Sequence, residues 1–265
     1  MFDNICKFLA ENFSADFAEW LLGEPITLTE LSPKELSLEP IRADALILLQ
    51  SDEQILHIEF QTEPDPKIPF RMTDYRLRGY RRFPEKKMYQ VVIYLNRTNS
   101  ELVYQNTFTL SRTRHEFEVI RLWEQPAEIF LENPGLLAFA VLSSTPNPEN
   151  LLNQVAAQIN EISDNRTQSN VAVSTAILAG LVLNKDLIKR ILRSDIMRES
   201  PIYQEILQEG EQKGRAEGKA EGRIETLQQV ATNLLNTGMA LEDISRITGL
   251  SLEQLQALQN NNSEQ

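Results

Sequence analysis

A chain of 265 residues is longer than one small core requires and suits one main domain with an appendage, since domains usually run to roughly 100 to 200 residues. Its 42 % hydrophobic and 24 % charged residues exclude wholesale disorder, and its longest apolar stretches, Ala45 to Leu49 and Val171 to Leu183, fall short of the roughly 20 residues that cross a bilayer, so no membrane span is predicted. A net charge of −12 argues against a protein that coats itself in nucleic acid, and a single cysteine, Cys6, without a secretory leader makes the cytoplasm the expected address.

Residues 3 to 22 place Ile5, Phe8, Leu9, Phe13, Phe17 and Leu21 at helical spacing, with Gly23 and Pro25 as a stop, and predict one amphipathic helix. From Ile41 to Leu49 the pattern alternates, with Ile41, Ala43, Ala45, Ile47 and Leu49 on one face and Arg42 and Asp44 on the other, which predicts a strand. A polar Ser-Asp-Glu-Gln turn leads into Ile55 to Gln61, where Leu56, Ile58 and Phe60 share one face and His57, Glu59 and Gln61 the other. The two strands should form a hairpin. Ile68 to Phe83, bounded by prolines, reads as a helix, and Met88 to Leu95 as a strand covered on both faces. Further strands are expected at Thr107 to Leu110 and Glu116 to Trp123. From Pro126 the pattern becomes helical, with candidates at Leu136 to Leu142, Leu151 to Ile162, Val171 to Leu183 and Lys185 to Met197. The predicted organisation is an α/β core over 1–125 with a mixed sheet flanked by helices, a helical extension over 126–209, and a charged tail over 210–265 closed by two short helices.

A hairpin turn centred between Asp52 and Glu53 sets Asp44 opposite Gln61 and Leu46 opposite Glu59. Because strand side chains alternate, Asp44, Glu59 and Gln61 should converge on one patch, and a register slip of one residue would scatter them. Two carboxylates held this close repel each other unless a hard cation lies between them. Mg²⁺ or Mn²⁺ favours such oxygen ligands, keeps several waters, and can polarise both a phosphate oxygen and an attacking water.

Asp44 followed fifteen residues later by Glu59-Phe60-Gln61 resembles the D-x(n)-(D/E)-x-K signature of PD-(D/E)XK nucleases, with Gln where Lys is usual. More particularly, ELSLEPIRADALILL, ILHIEFQTEPDPKIPFRMTDYRLRGYRRF and VIRLWEQPAEIFLENPGLLAFAVL resemble the recombination-promoting nuclease / putative transposase family, in which the E-x-Q form is usual. The likeness spans roughly residues 1 to 225. It implies a PD-(D/E)XK-type fold and a Mg²⁺-dependent (or Mn²⁺-dependent) DNA endonuclease in recombination or transposition. Asp44 and Glu59 would ligate the metal and Gln61 would orient the water. A neutral amide positions water only by hydrogen bonding, whereas an ammonium would also stabilise developing charge. Such folds often recruit one more acid from the first helix or the segment before the first strand, where Asp16, Glu19, Glu35 and Glu39 are available, Glu19 and Glu39 being best placed. A protein with a degenerate site, acting as a DNA-binding or oligomeric accessory, is the alternative.

Between Lys67 and Lys87 eight basic residues face two acidic ones, a local excess of six positive charges in an acidic chain. Arg71, Tyr75, Arg78 and Arg82 recur at helical steps, and Arg71, Tyr75 and Arg78 are the expected DNA-facing residues; the competing expectation is a basic face paired with the chain's own acids. His57 shares the carboxylate face as a flanking group, while His115, Cys6, Trp20 and Trp123 read as structural. Glycine recurs every four residues at Gly210, Gly214, Gly218 and Gly222 among charges, which implies either a tight partner helix or a flexible linker and excludes a membrane dimer. The ending MALEDISRITGLSLEQLQAL resembles the short helix-turn-helix endings of bacterial family members, with Gly249 as the turn and Ser251 as an N-cap. It holds one basic residue, Arg246, so an oligomerisation module (a homo-oligomer through 210–258) or a partner-binding module is expected of it in preference to DNA reading.

Overall fold

The computed structural model describes residues 2–31, 46–192, 194–198 and 200–263. It divides into two compact units, residues 1–204 and 205–265. The helices between Gln125 and Ser200 thus belong to the same unit as the sheet.

Two helices, α1 (Phe2–Asn12) and α2 (Ser14–Leu22), stand where one was expected. The break falls at Phe13, whose side chain lies so close to Gly135 that a β-carbon there would collide with the Phe13 Cβ. The Gly135 N–H also donates to the Asp16 carboxylate at 2.8 Å, and burial pushes that carboxyl group above its ordinary value. Docking on Gly135 has outweighed the helical periodicity.

The sheet follows from β1 (Thr29–Glu30), β2 (Leu46–Gln50) and β3 (Gln54–Gln61), which run antiparallel, and from α3 (Ile68–Arg82), which carries the chain over to β4 (Lys87–Tyr94), parallel to β3. A hairpin β5 (Thr107–Leu110) and β6 (Thr113–Glu116) precedes β7 (Glu118–Arg121), which pairs in parallel with β4. The five-stranded order is β1-β2-β3-β4-β7, a mixed sheet as expected. The strand predicted over 116–123 divides between β6 and β7, and Leu122–Glu124 is a short 3₁₀ turn. Pairing of β2 with β3 begins at Leu46↔Glu59 and ends at Gln50↔Ile55, the register read from the hairpin turn.

Helices cover both faces of the sheet. On one, Phe60 stacks on Phe139 of α5 (Leu137–Ala140) and meets Phe17 of α2 edge-on. On the other, α3 presents Ile68, Met72, Tyr75 and Gly79, a stripe at helical spacing, to Ile55, Val92 and Tyr94. The remaining helices of this unit are α4 (Glu128–Leu131), α6 (Pro148–Glu161), α7 (Asn165–Ala179), α8 (Lys185–Ile191) and α9 (Ser194–Met197). The segment expected as one helix over 185–197 is therefore two.

The 205–265 unit is built from α10 (Pro201–Asn236), in which the unit boundary falls, α11 (Leu241–Thr248) and α12 (Leu252–Ser263). Ala231, Ile244, Leu250 and Leu255 form its core. Gly249 ends α11 at φ 73°, the left-handed conformation glycine tolerates, and Ser251 and Gln254 exchange side-chain-to-backbone hydrogen bonds in a capping box. The glycine-rich segment is continuous helix and not a linker, and within the chain a β-carbon on Gly210, Gly214, Gly218 or Gly222 would meet nothing within 4 Å. Within the chain each glycine therefore costs helix stability without a packing return, and replacing all four by alanine should stabilise the helix by roughly 3 to 4 kcal/mol at about 0.8 to 1 kcal/mol apiece. Helicity and melting by circular dichroism test this; a drop in stability would mean that a second helix occupies the stripe in solution.

Candidate active site

Glu59 lies on β3 with α3 above it, and the geometry follows from the strand's alternation. Phe60 faces α2 and α5, so Glu59 and Gln61 must face α3. The Glu59 carboxylate is deeply buried, the residue 2 % exposed, and a buried charge requires partners. The Arg71 Nη2 supplies one at 3.0 Å from Oε2, and the Gln61 Nε2 donates to the same oxygen at 3.4 Å. Arg71 sits in the first turn of α3, its side chain 33 % exposed, and its Nη1 also reaches Asp65 Oδ2 at 3.7 Å. One guanidinium thus bridges a carboxylate inside the sheet and another in the loop that follows β3.

On the inner side of Glu59 stands His57, 0 % exposed, with Nε2 3.7 Å from Glu59 Oε1 and without a hydrogen-bond partner. The opposite ring atom settles the tautomer. Gln90 directs its amide nitrogen at His57 Nδ1 (2.9 Å) while donating to the Met72 carbonyl (2.8 Å), so Nδ1 accepts and the ring's N–H is the Nε2 one, toward Glu59. Tyr75 packs edge-on against the same ring at 5.1 Å between centroids.

The structure brings Glu59 and Gln61 together as the strand pattern requires. Asp44 and Glu39 lie outside the described residues. Glu19 accepts a hydrogen bond from Asn133 and belongs to α2, which covers the Phe60 side, so it does not join Glu59. Among the described residues no group of three His, Cys, Asp or Glu is placed to hold a metal ion. Asp65, which lies beyond the strand pattern that singles out Glu59 and Gln61, is the acid that Arg71 ties to Glu59. Its signal was its position, four residues beyond Gln61 in a loop at the carboxyl end of a strand, where open α/β sheets bind their ligands.

The DNA-facing expectations need correction. Tyr75 is 4 % exposed and belongs to the Ile68-Met72-Tyr75-Gly79 core stripe, so its ring is closed to a nucleobase. Arg78 is paired with Asp74 at 2.9 Å, Arg71 with Glu59 and Asp65, and Arg76 donates to the Met88 carbonyl at 2.7 Å. The exposed aromatic rings of α3 are Phe70 and Tyr80, with Arg81 and Arg82 exposed at its end. His115 lines a polar pocket of about 330 Å³ with Arg76, Gln90 and Asn106, and burial, then Arg76, hold its pKa below the ordinary value.

Among the described residues no helix is long and apolar enough to cross a membrane. The chain matches no protein-family model, no curated protein and no solved structure.

Burial, then the Glu59 charge, push the Tyr75 hydroxyl up to about 12 from its ordinary 10. The folded state thus holds this proton more tightly than the unfolded chain does. Its contribution to stability is complete below pH 10 and should be lost as pH rises through about 12, because the unfolded tyrosine ionises first. Tyr75→Phe should flatten this part of a stability-against-pH curve measured by urea melts; an unchanged alkaline slope would show that Tyr75 does not cause it.

Proposed function

We propose that the chain is a metal-dependent DNA endonuclease of the PD-(D/E)XK type, acting in recombination or transposition, as its resemblance to the recombination-promoting nuclease / putative transposase family suggests. One observation carries the reading. At the carboxyl ends of the parallel strands β3 and β4, a buried carboxylate, Glu59, lies against a neutral amide, Gln61, and shares a cation with a second carboxylate, Asp65. Arginine alone would be an ample partner for one carboxylate. Two acids converging on it leave a negative excess of the kind that a hard dication takes up.

The donor set fits the group. Mg²⁺ commonly binds through one or two carboxylates and keeps several waters, and Glu59, Asp65 and the Gln61 amide oxygen are hard donors; Asp44, in the preceding strand segment, is the further ligand the resemblance assigns. Bound there, the ion would polarise a phosphate oxygen and acidify a water. The protein's own contribution is positional. Glu59 is fixed in the sheet, the Gln61 amide orients water, and His57 holds its Nε2 proton toward Glu59 under the clamp of Gln90. Where α3 meets DNA, Tyr80 and Arg81 present the exposed ring and charge that Tyr75 and Arg78 do not.

A second reading, a DNA-binding or oligomeric accessory with a closed site, is favoured by the near-complete burial of Glu59. Plasmid nicking in Mg²⁺ or Mn²⁺ separates the two. Glu59→Ala and Asp44→Ala should each abolish nicking, and Gln61→Ala should slow it by about a hundredfold, the usual loss of one positioned polar group. DNA binding without any metal-dependent nicking would favour the accessory, and nicking that survives Glu59→Ala would place the chemistry elsewhere.

A further inference from the structure

We infer that Arg71 is a built-in stand-in for the divalent ion, occupying its place between Glu59 and Asp65 until the ion displaces it. The inference rests on the metal-site reading above and goes further by giving the free protein a competitor for its own cofactor.

Three observations converge on it. Arg71 touches both carboxylates, at 3.0 Å and 3.7 Å, which is how a cation holding two acids together would be placed. The guanidinium fits its niche incompletely, because Arg71 Nε is buried without a hydrogen-bond partner. His57 Nε2, fully buried and also without one, points at the other Glu59 oxygen from 3.7 Å, a distance too long for a hydrogen bond. A carboxylate contacted at close range by one arginine on one oxygen, with an orphan N–H stopping short of the other, is held in a compromise. A dication between Glu59 and Asp65 would replace the arginine contact without disturbing the Gln90 clamp on His57.

Exchange is physically open to Arg71. Its side chain is one-third exposed and starts from the first turn of α3, so it can leave without unpacking the core stripe at Ile68, Met72 and Tyr75. Glu59 has no such freedom in the sheet. Arginine is also weakly hydrated and forks naturally onto phosphate, so a released guanidinium would meet the DNA backbone at the ion it has just admitted.

Competition makes a definite claim about affinity. Removing the competitor should tighten ion binding even though it removes the structural partner of Glu59. In the full-length protein, Mn²⁺ binding followed by electron paramagnetic resonance should be at least tenfold tighter in Arg71→Met than in the unmodified chain. Mg²⁺ should raise the melting temperature more in that variant, and Glu59→Gln should abolish binding in both. Arg112→Gln, an exposed cation in the turn between β5 and β6, controls for net charge and should leave affinity within about twofold. Equal affinity with and without Arg71, with binding still lost in Glu59→Gln, would overturn the inference and leave the metal site standing. Absence of Mn²⁺ binding in both would overturn inference and metal site together. If Arg71→Met folds only when Mn²⁺ or Mg²⁺ is added, displacement is supported directly. If it folds under neither condition, Arg71→Lys decides: its point charge cannot bridge two acids, so binding should tighten severalfold, and no change would sink the idea.

Discussion

The structure depends on the burial of one carboxylate. Glu59 lies toward the carboxyl end of a parallel strand pair beneath a helix, where an unpaired charge would cost several kcal/mol, and its neighbours are arranged around that cost. Arg71 comes from the start of α3, so the crossover that makes β3 and β4 parallel also delivers the counter-charge. Gln61 comes two residues later on the same strand. Gln90, from β4, fixes the His57 ring so that its proton faces the acid. A buried ion pair of this kind adds little net stability compared with an apolar pair of equal volume, so its presence at the carboxyl ends of two parallel strands argues for a role in binding.

Much of this was legible in strand periodicity. Alternation put Leu56, Ile58 and Phe60 on one face and His57, Glu59 and Gln61 on the other, and the short turn set the register that pairs Leu46 with Glu59. What alternation cannot say is whether the polar face meets solvent. The patch is closed because α3 lies over it, and α3 could be placed only by knowing that β3 and β4 are parallel. The same blind spot mis-assigned Tyr75. Arg71-Tyr75-Arg78-Arg82 and Ile68-Met72-Tyr75-Gly79 are both regular helical stripes that share one residue, and apolar burial decided between them.

Local charge was a still weaker guide. The excess of basic residues between Lys67 and Lys87 suggested a phosphate-binding surface, yet several of those cations end on acceptors within the fold: Arg71 on Glu59, Arg76 on the Met88 carbonyl, Arg78 on Asp74, and Lys86 on Gln50 and Ser51. In a chain of net charge −12, a basic segment is the natural counterweight to acids elsewhere, and composition does not say which acid finds which base. The break at Phe13 was hidden for a related reason: it is set by Gly135, more than a hundred residues away.

Arg71 also gives the glutamine at position 61 a physical sense. A lysine there would place a second cation beside Glu59, and with Asp65 the group would be close to neutral and indifferent to a dication. With a neutral amide, two carboxylates face one guanidinium, and the cluster keeps a negative excess beneath a helix whose first turn carries no acid. On the proposed reading, the site gives up the charge that lysine would lend to catalysis and keeps a stronger pull on the ion. Position 61 and position 71 then form one electrostatic unit, in which a cation supplied by the helix takes the place of one supplied by the strand and, being partly exposed, can be withdrawn.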